Sequence, residues 1–311
     1  MAIFPRTDLK STNWVCWANV NEEIKKNRYF IIRAFNPAIF KVTKVSQTNP
    51  TNFVSLPPEN YKKITLKKKA LFNWSSGKDS ALALYKTLQN PKIEIACLLT
   101  SVNQQYQRVS MHGVRVELLQ QQAKSIGLPI KIMQIPEMPT MEVYENVMRE
   151  TLAKLKNQGV THSIFGDIFL EDLRKYREDK LAEIGFEGVF PLWKIPTHEL
   201  IHEFISLGFK TIVVCVNERF LDKSFVGRVI DQSFINDLPQ NVDVCGENGE
   251  FHTFTFDGPI FSKPIDFEIG EVMYRKYEKP KKEDSSDTAC DTSVSDAFDF
   301  GFWYCDLLDK K

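Results

Sequence analysis

The stretch KALFNWSSGKDSALALYKTL, residues 69–88, decides the fold. Ala70–Trp74 reads as a short apolar strand. Lys78–Leu88 reads as an amphipathic helix, with Leu82, Leu84, Tyr85 and Leu88 as its apolar positions. Between them lies Ser75-Ser76-Gly77-Lys78-Asp79-Ser80. At such a strand-to-helix turn the free N–H groups of the first helical turn point into the loop, and with the helix dipole they favour an anion. Gly77 lacks the Cβ that would block a close approach of the backbone. Ser75, Ser76 and Ser80 add hydroxyl donors, and Lys78 adds a cation suited to pyrophosphate oxygens. The same letters also describe a merely capped helix start, since Ser and Asp are good N-cap residues. Two familiar phosphate loops do not fit. A GxxxxGK[ST] loop needs glycine where Phe72 stands and Ser or Thr where Asp79 stands, and a GxGxxG loop needs more than the single Gly77.

Outward from this stretch, strands and helices alternate. Ile93–Leu99, Ile130–Ile135, Thr161–Phe165 and Thr211–Val216 read as strands, and residues 113–126, 141–156, 171–184 and 197–207 as helices. Gly127 and Pro129 stop the first of those helices. Strand–helix alternation at this spacing predicts right-handed crossovers. The expected fold is α/β: a mainly parallel sheet with helices on both faces, of the Rossmann-like kind, plus a small C-terminal substrate region. Ligands in such sheets bind beyond the carboxyl ends of the strands, where strand order reverses, and the 75–80 loop lies at such an end. The alternation stops near residue 218. The expected organisation is a poorly packed extension at 1–66, a nucleotide-binding domain at 67–217 and a substrate-binding region at 218–276. A polar linker at 277–298 and a docked tail at 299–311, containing FGFWYCDLL, complete it.

Composition narrows the function. Of 311 residues, 43% are hydrophobic, enough for a sizeable core. Forty basic and forty acidic side chains cancel to zero net charge, so bulk nucleic-acid or membrane-surface binding is not expected. No apolar run is long enough to cross a bilayer, and the N-terminus does not read as a secretory signal. The six cysteines are scattered without a CxxC, which fits a reduced, cytoplasmic protein.

Three further constellations stand out. Glu247, Asn248, Glu250 and His252 lie in a segment punctuated by Gly246 and Gly249, a pattern that also suits a solvated loop. Arg174, Arg177 and Glu178 fall at helical spacing, either as a solvated i,i+4 face or as contacts to phosphate or acceptor. His198-Glu199-Leu200-Ile201-His202 matches HExxH, but the helix begins immediately before His198 and no further ligand follows at the expected place.

The loop SSGKDS resembles the SGGKDS signature of the PP-loop ATP pyrophosphatases, with one substitution at Ser76. Further blocks are similar to the diphthine–ammonia ligase-related branch of that group: MHGVR at 111–115, FGDIFLEDLRKYRE at 165–178, FPLW at 190–193, CGENGEFHTF at 245–254 and DGPIF at 257–261. The resemblance covers about residues 68–275. GENGEFHT departs from the GEGGEYET style of the archaeal and eukaryotic diphthine ligases, which puts diphthine itself in doubt as the acceptor. The resemblance implies an ATP-dependent, AMP-forming amide ligase. The carboxylate of a small-molecule or protein acceptor is adenylated, pyrophosphate leaves, and ammonia displaces AMP. It also implies that Ser75, Ser76, Gly77, Lys78 and Ser80 hold phosphate and that Asp79 orients the loop or helps hold Mg²⁺. Gly166 and Asp167 would face the nucleotide. Glu247, Glu250 and His252, with Asn248, would line the acceptor pocket. The alternatives are an ATP-binding regulatory module without turnover, and a PP-loop tRNA-modifying enzyme, for which paired cysteines or a sulfur carrier would be expected. A zinc hydrolase is the most remote.

Overall fold

The computed structural model describes residues 29–33, 40–44, 67–110, 112–137, 139–276 and 301–310. Most of the expected extension at 1–66, Met111 of the MHGVR block and the expected linker at 277–298 lie outside the described residues. Residues 1–66 and 67–311 are two separate compact units. In the first, β1 (Tyr29–Arg33) and β2 (Phe40–Lys44) pair antiparallel, Tyr29 opposite Lys44.

The second unit starts with β3 (Lys68–Asn73) and α1 (Lys78–Leu88). There follow β4 (Ile93–Asn103), the short β5 (Arg108–Val109), α2 (Val116–Ile126), β6 (Ile130–Ile135), α3 (Met141–Lys156), β7 (His162–Ile164), α4 (Glu171–Glu183) and β8 (Glu187–Val189). The order across the sheet is β6-β4-β3-β7-β8, with every neighbouring pair parallel, and β5 adds antiparallel to the end of β4. The chain builds outward from β3 to β6, then lays β7 and β8 on the other side of β3. Strand order therefore reverses between β3 and β7, the crevice where ligands bind in such sheets.

Strand side chains alternate between two cores, as the pleat requires. Ala70, Phe72 and Leu98 face a core shared with Leu82 and Leu84 of α1 and Leu118 and Leu119 of α2. Leu71, Cys97 and Leu99 face a second core with Leu152 and Leu155 of α3 and Leu181 of α4. Helices thus cover both faces, and the α/β reading holds. Phe72 is fully buried, and burial of a side chain of that size contributes about 2–3 kcal/mol. The helix expected from Gly113 starts later, at Val116, because Gly113 takes φ +69° and Arg115 bridges Arg108. It ends as expected, with Gly127 at φ +79° and its N–H on the Ala123 carbonyl at 3.0 Å.

A second sheet follows α5 (Thr197–Ser206): β9 (Lys210–Asn217), β10 (Phe251–Asp257), β11 (Phe267–Lys276) and β12 (Gly301–Asp309). Its order is β10-β9-β12-β11, antiparallel throughout. The strand at 211–216 therefore does not extend the parallel sheet. Its run TIVVCV is buried along its length, which reports that both faces are covered and says nothing of the direction of its neighbours. A short α6 (Gln232–Asp237) packs nearby through Phe234.

Candidate active site

The loop after β3 is stitched to β10. The Ser76 carbonyl accepts from the Thr255 N–H at 2.9 Å and from Gln122 Nε2 at 3.1 Å, and the Lys78 N–H donates to Thr253 Oγ1 at 3.0 Å. Ser76 stands at φ +74°, in the left-handed region, so glycine at this position relieves a strain of about 1–2 kcal/mol. Its hydroxyl is buried with no hydrogen-bond partner among the described residues. A Cβ on Gly77 would lie 2.8 Å from Cε1 of His112, so no side chain fits there. Gly166, just past β7, packs its own backbone on the first turn of α1: a Cβ there would meet the Ser80 nitrogen at 3.1 Å. The N–H groups of Asp79 and Ser80 precede the first intrahelical bond, Ala81 N–H to the Gly77 carbonyl at 3.0 Å. Unpaired donors at the start of a helix are what an anion requires.

Lys78 is 3% exposed. Its ammonium donates to Asp79 Oδ1 at 2.8 Å and Oδ2 at 2.7 Å, and to the Cys245 carbonyl oxygen. Burial works against its charge, but Asp79 beside it holds the pKa above the usual lysine value. Contact between Lys78 and a phosphate is therefore an exchange of partners, not the filling of a free valence. Across the cleft, Glu247 Oε1 accepts from the Ile168 N–H at 2.9 Å. Burial, reinforced by the Asp79 charge, pushes its carboxyl up to about 7. Burial likewise raises Asp167, against the pull of Arg177, whose Nε lies 2.8 Å from Asp167 Oδ2.

These groups surround a cleft of about 770 Å³ at the β3–β7 switch point. Ser75, Asp79, Ser80, Gly166, Asp167, Arg177, Glu247, Asn248 and His252 line it, and Lys78 lies directly beneath through Asp79. Sequence reasoning missed one wall, made of Met133, Tyr144, Met148, Phe165 and Leu173, because it comes from β6, α3, α4 and the residue just past β7 and carries no local signature. It also missed His112, whose ring lies 4.8 Å from that of His252 and whose Nδ1 is 2.9 Å from the Thr253 carbonyl oxygen. Burial lowers both imidazoles, His252 to about 3, so the pair is neutral at physiological pH.

Ser76 and Gly77 of the loop do not line the cleft, and three further residues read as site candidates turn away from it. Glu250 is fully buried, and its carboxylate accepts from the Asp243 N–H at 3.0 Å and the Asn248 N–H at 2.8 Å. Both oxygens are spent shaping the 243–250 turn. Arg174 donates to Glu178 at 2.9 Å and stacks between Phe190 and Trp193 at 4.6 and 4.5 Å, on the outer side of α4. Both residues follow the bland i,i+4 reading. His198 and His202 are exposed on α5, and among the described residues no cluster of three or more His, Cys, Asp or Glu is placed to hold a metal. The described cysteines are buried and unpaired. Burial raises the Cys245 thiol and pushes Cys215 up to about 12, which disfavours thiolate.

A parallel sheet with an open helix start at its switch point, and a Glu247-bearing turn beside it, is the arrangement of a nucleotide-using α/β enzyme of the PP-loop class. The family models and the curated relatives agree. Residues 67–187 match the diphthamide synthase N-terminal domain and residues 196–282 the diphthamide synthase C-terminal domain. A diphthine–ammonia ligase of Homo sapiens is 25% identical over 225 residues, 64% of this chain and 82% of that protein. That of Bos taurus is 29% identical over 130 residues, 40% of this chain and 49% of that protein. A solved U34-tRNA thiolase of Methanococcus maripaludis is 19% identical, covering 47% of this chain and 59% of that one at a TM-score of 0.29. The chain belongs to the diphthine–ammonia ligase-related family of PP-loop ATP pyrophosphatases. It is an ATP-using ligase.

Proposed function

We propose that the cleft binds ATP with its phosphates on the 75–80 loop and adenylates a carboxylate acceptor, which ammonia then converts to an amide. The observation that carries the proposal is the pairing, in one crevice, of the open first turn of α1 above Lys78 and Asp79 with Glu247 facing it. The acceptor's carboxylate oxygen attacks the α-phosphorus, the Pα–O bond to the β-phosphate breaks, and pyrophosphate leaves with the electron pair. The ammonia lone pair then attacks the acyl carbon, and AMP leaves with the C–O pair. The attacking nitrogen must lose a proton, and Glu247, titrating near neutrality, is placed to take it. The Asp79 and Ser80 N–H groups and the Ser75 and Ser80 hydroxyls bind phosphate oxygens, and the apolar wall of Met133, Tyr144, Met148 and Phe165 receives the base.

Three carboxylates line a cleft meant for an anion, while Lys78 and Arg177 are already paired. A divalent cation fits that donor set, and Mg²⁺ is assigned to Asp79 together with phosphate oxygens. When bound it supplies charge neutralisation on the phosphates. The resemblance carries a Glu to position 252 in the archaeal and eukaryotic diphthine ligases, whereas this chain holds a neutral His, so we assign an acceptor other than diphthine. Residues 218–276 and β12 form the acceptor side, and the protein works in the cytoplasm. The test is pyrophosphate release in a cell extract with ATP and ammonium. Release that depends on ammonium and on the protein supports the proposal, and phosphate with ADP instead of pyrophosphate with AMP overturns it.

A further inference from the structure

Resting on that reading, phosphate on the 75–80 loop meets an imidazole ring as well as a helix start. The Nδ1 of His112 lies 2.9 Å from the Thr253 carbonyl oxygen. A carbonyl oxygen only accepts, so Nδ1 carries the ring proton, and the neutral imidazole keeps a bare lone pair at Nε2. That second nitrogen has no hydrogen-bond partner among the described residues and is not sealed off, so it opens into the cleft that the ring lines. The ring is also fixed against the loop, since its Cε1, bonded to Nε2, would lie 2.8 Å from a Cβ on Gly77.

A phosphate oxygen facing that lone pair sets acceptor against acceptor. A proton on Nε2 turns the repulsion into a charge-assisted hydrogen bond. The surroundings decide when the proton comes. Burial is the largest influence and holds the ring below the ordinary value of 6.5, while the Thr253 carbonyl and Asp79 favour a proton and Lys78 opposes one. The His252 ring, 4.8 Å away, is itself kept neutral by burial. Arg108 and Arg115, on the same side of the chain as His112, are held by Asp306 at 2.8 and 2.6 Å. A polyphosphate brings several negative charges to the ring and reverses the balance.

We propose that His112 takes up one proton when ATP binds and donates an Nε2–H hydrogen bond to an oxygen of the two phosphates that leave as pyrophosphate. The imidazolium offsets charge as the Pα–O bond breaks and the electron pair goes with pyrophosphate. The ring returns its proton to solvent when pyrophosphate departs. Lys78 already spends its ammonium on Asp79 and the Cys245 carbonyl oxygen, so His112 supplies a second cation that is present only while phosphate is bound.

The experiment is calorimetry of α,β-methylene-ATP with Mg²⁺ on the full chain, in two buffers of different ionisation enthalpy. Glu247 and Asp167 line the same cleft and can take up protons of their own, so the readout is the difference between proteins and not the total. Wild type should take up about one proton more than His112→Gln, whose amide donates from the Nε2 position without one. Wild-type affinity should fall by up to about tenfold per pH unit as pH rises through the bound ring's pKa, more steeply than that of His112→Gln. His112→Gln should also bind more tightly than His112→Ala. Equal proton uptake in wild type and His112→Gln overturns the assignment. Long-range 1H–15N spectra of histidine-labelled wild type read the same event without a variant. One of the five imidazoles should pass from the neutral Nδ1–H pattern to the doubly protonated one as the analogue binds, and no such change also overturns it. Binding without the extra proton sinks only the part given to His112, whereas no binding of the analogue by wild type sinks the ATP reading of the cleft and this proposal with it.

Discussion

Gly77 and His112 are in contact across the phosphate loop: a Cβ on Gly77 would sit 2.8 Å from the imidazole Cε1 and 3.2 Å from the Thr253 carbonyl oxygen. Three segments far apart in sequence thus close on one backbone atom. Because φ at Gly77 is −92°, an alanine there is excluded by contact and not by conformation. Gly77→Ala should push the loop off β10 at a cost of about 1–3 kcal/mol. It should weaken ATP binding at least about tenfold, read by nucleotide titration beside thermal unfolding. Unchanged ATP affinity in this variant would show that the loop does not hold phosphate.

Ser76 predicts the opposite sign. It holds φ +74° and buries an unpartnered hydroxyl. Ser76→Gly should stabilise the protein by about 1 kcal/mol, since glycine adopts this φ freely and removes the orphaned oxygen. The rise in Tm should be about 2–4 °C. A fall in Tm would mean that the hydroxyl has a partner in solution.

Glu247 sets the pH dependence. Its carboxyl is held near 7, above its ordinary value of 4.5. As a base it acts only when ionised, so ammonia transfer should rise with pH through about 7, and Glu247→Gln should flatten that limb. The stability effect has the reverse direction. A raised acid pKa means that the folded state holds the proton more tightly, so this contribution is full below 4.5 and is lost as pH rises through 7. Urea titrations at pH 5 and pH 8 should therefore show wild type losing more stability than Glu247→Gln over that interval.

Asp306 anchors β12 to the loop before α2. Burial pushes its carboxyl up, but the guanidinium groups of Arg115 and Arg108 outweigh this and hold it at about 2. A depressed acid pKa stabilises above the ordinary value of 3.8 and is lost as pH falls towards 2. Asp306→Asn should cost about 2 kcal/mol at pH 7, with the gap to wild type closing near pH 2. A gap that persists there would assign the loss to packing and not to charge.

The parallel half of the fold was legible because its strands and helices announce themselves locally: an apolar run, a loop rich in Ser and Gly, an amphipathic helix. The strand at 210–217 was legible as a strand but not as a member of its sheet, since burial on both faces is the same signal in either. In the site, SSGKDS and Glu247 could be read from short segments. Arg174 and Arg177, three residues apart on one helix, point to different surroundings, and only folding separates Arg177 in the cleft from Arg174 between Phe190 and Trp193. Glu250 read like Glu247, yet it turns inward to the 243–250 backbone. The His112–His252 contact joins residues far apart in the chain, and no spacing rule reaches across that gap.

The most direct measurement is a single-turnover quench of α-labelled ATP by wild type and Lys78→Ala, side by side, with ammonium and cell extract. Label appearing in AMP with wild type, and remaining in ATP with Lys78→Ala, is the predicted result. Label in ADP, or equal AMP from both proteins, would contradict cleavage between the α and β phosphates at this loop.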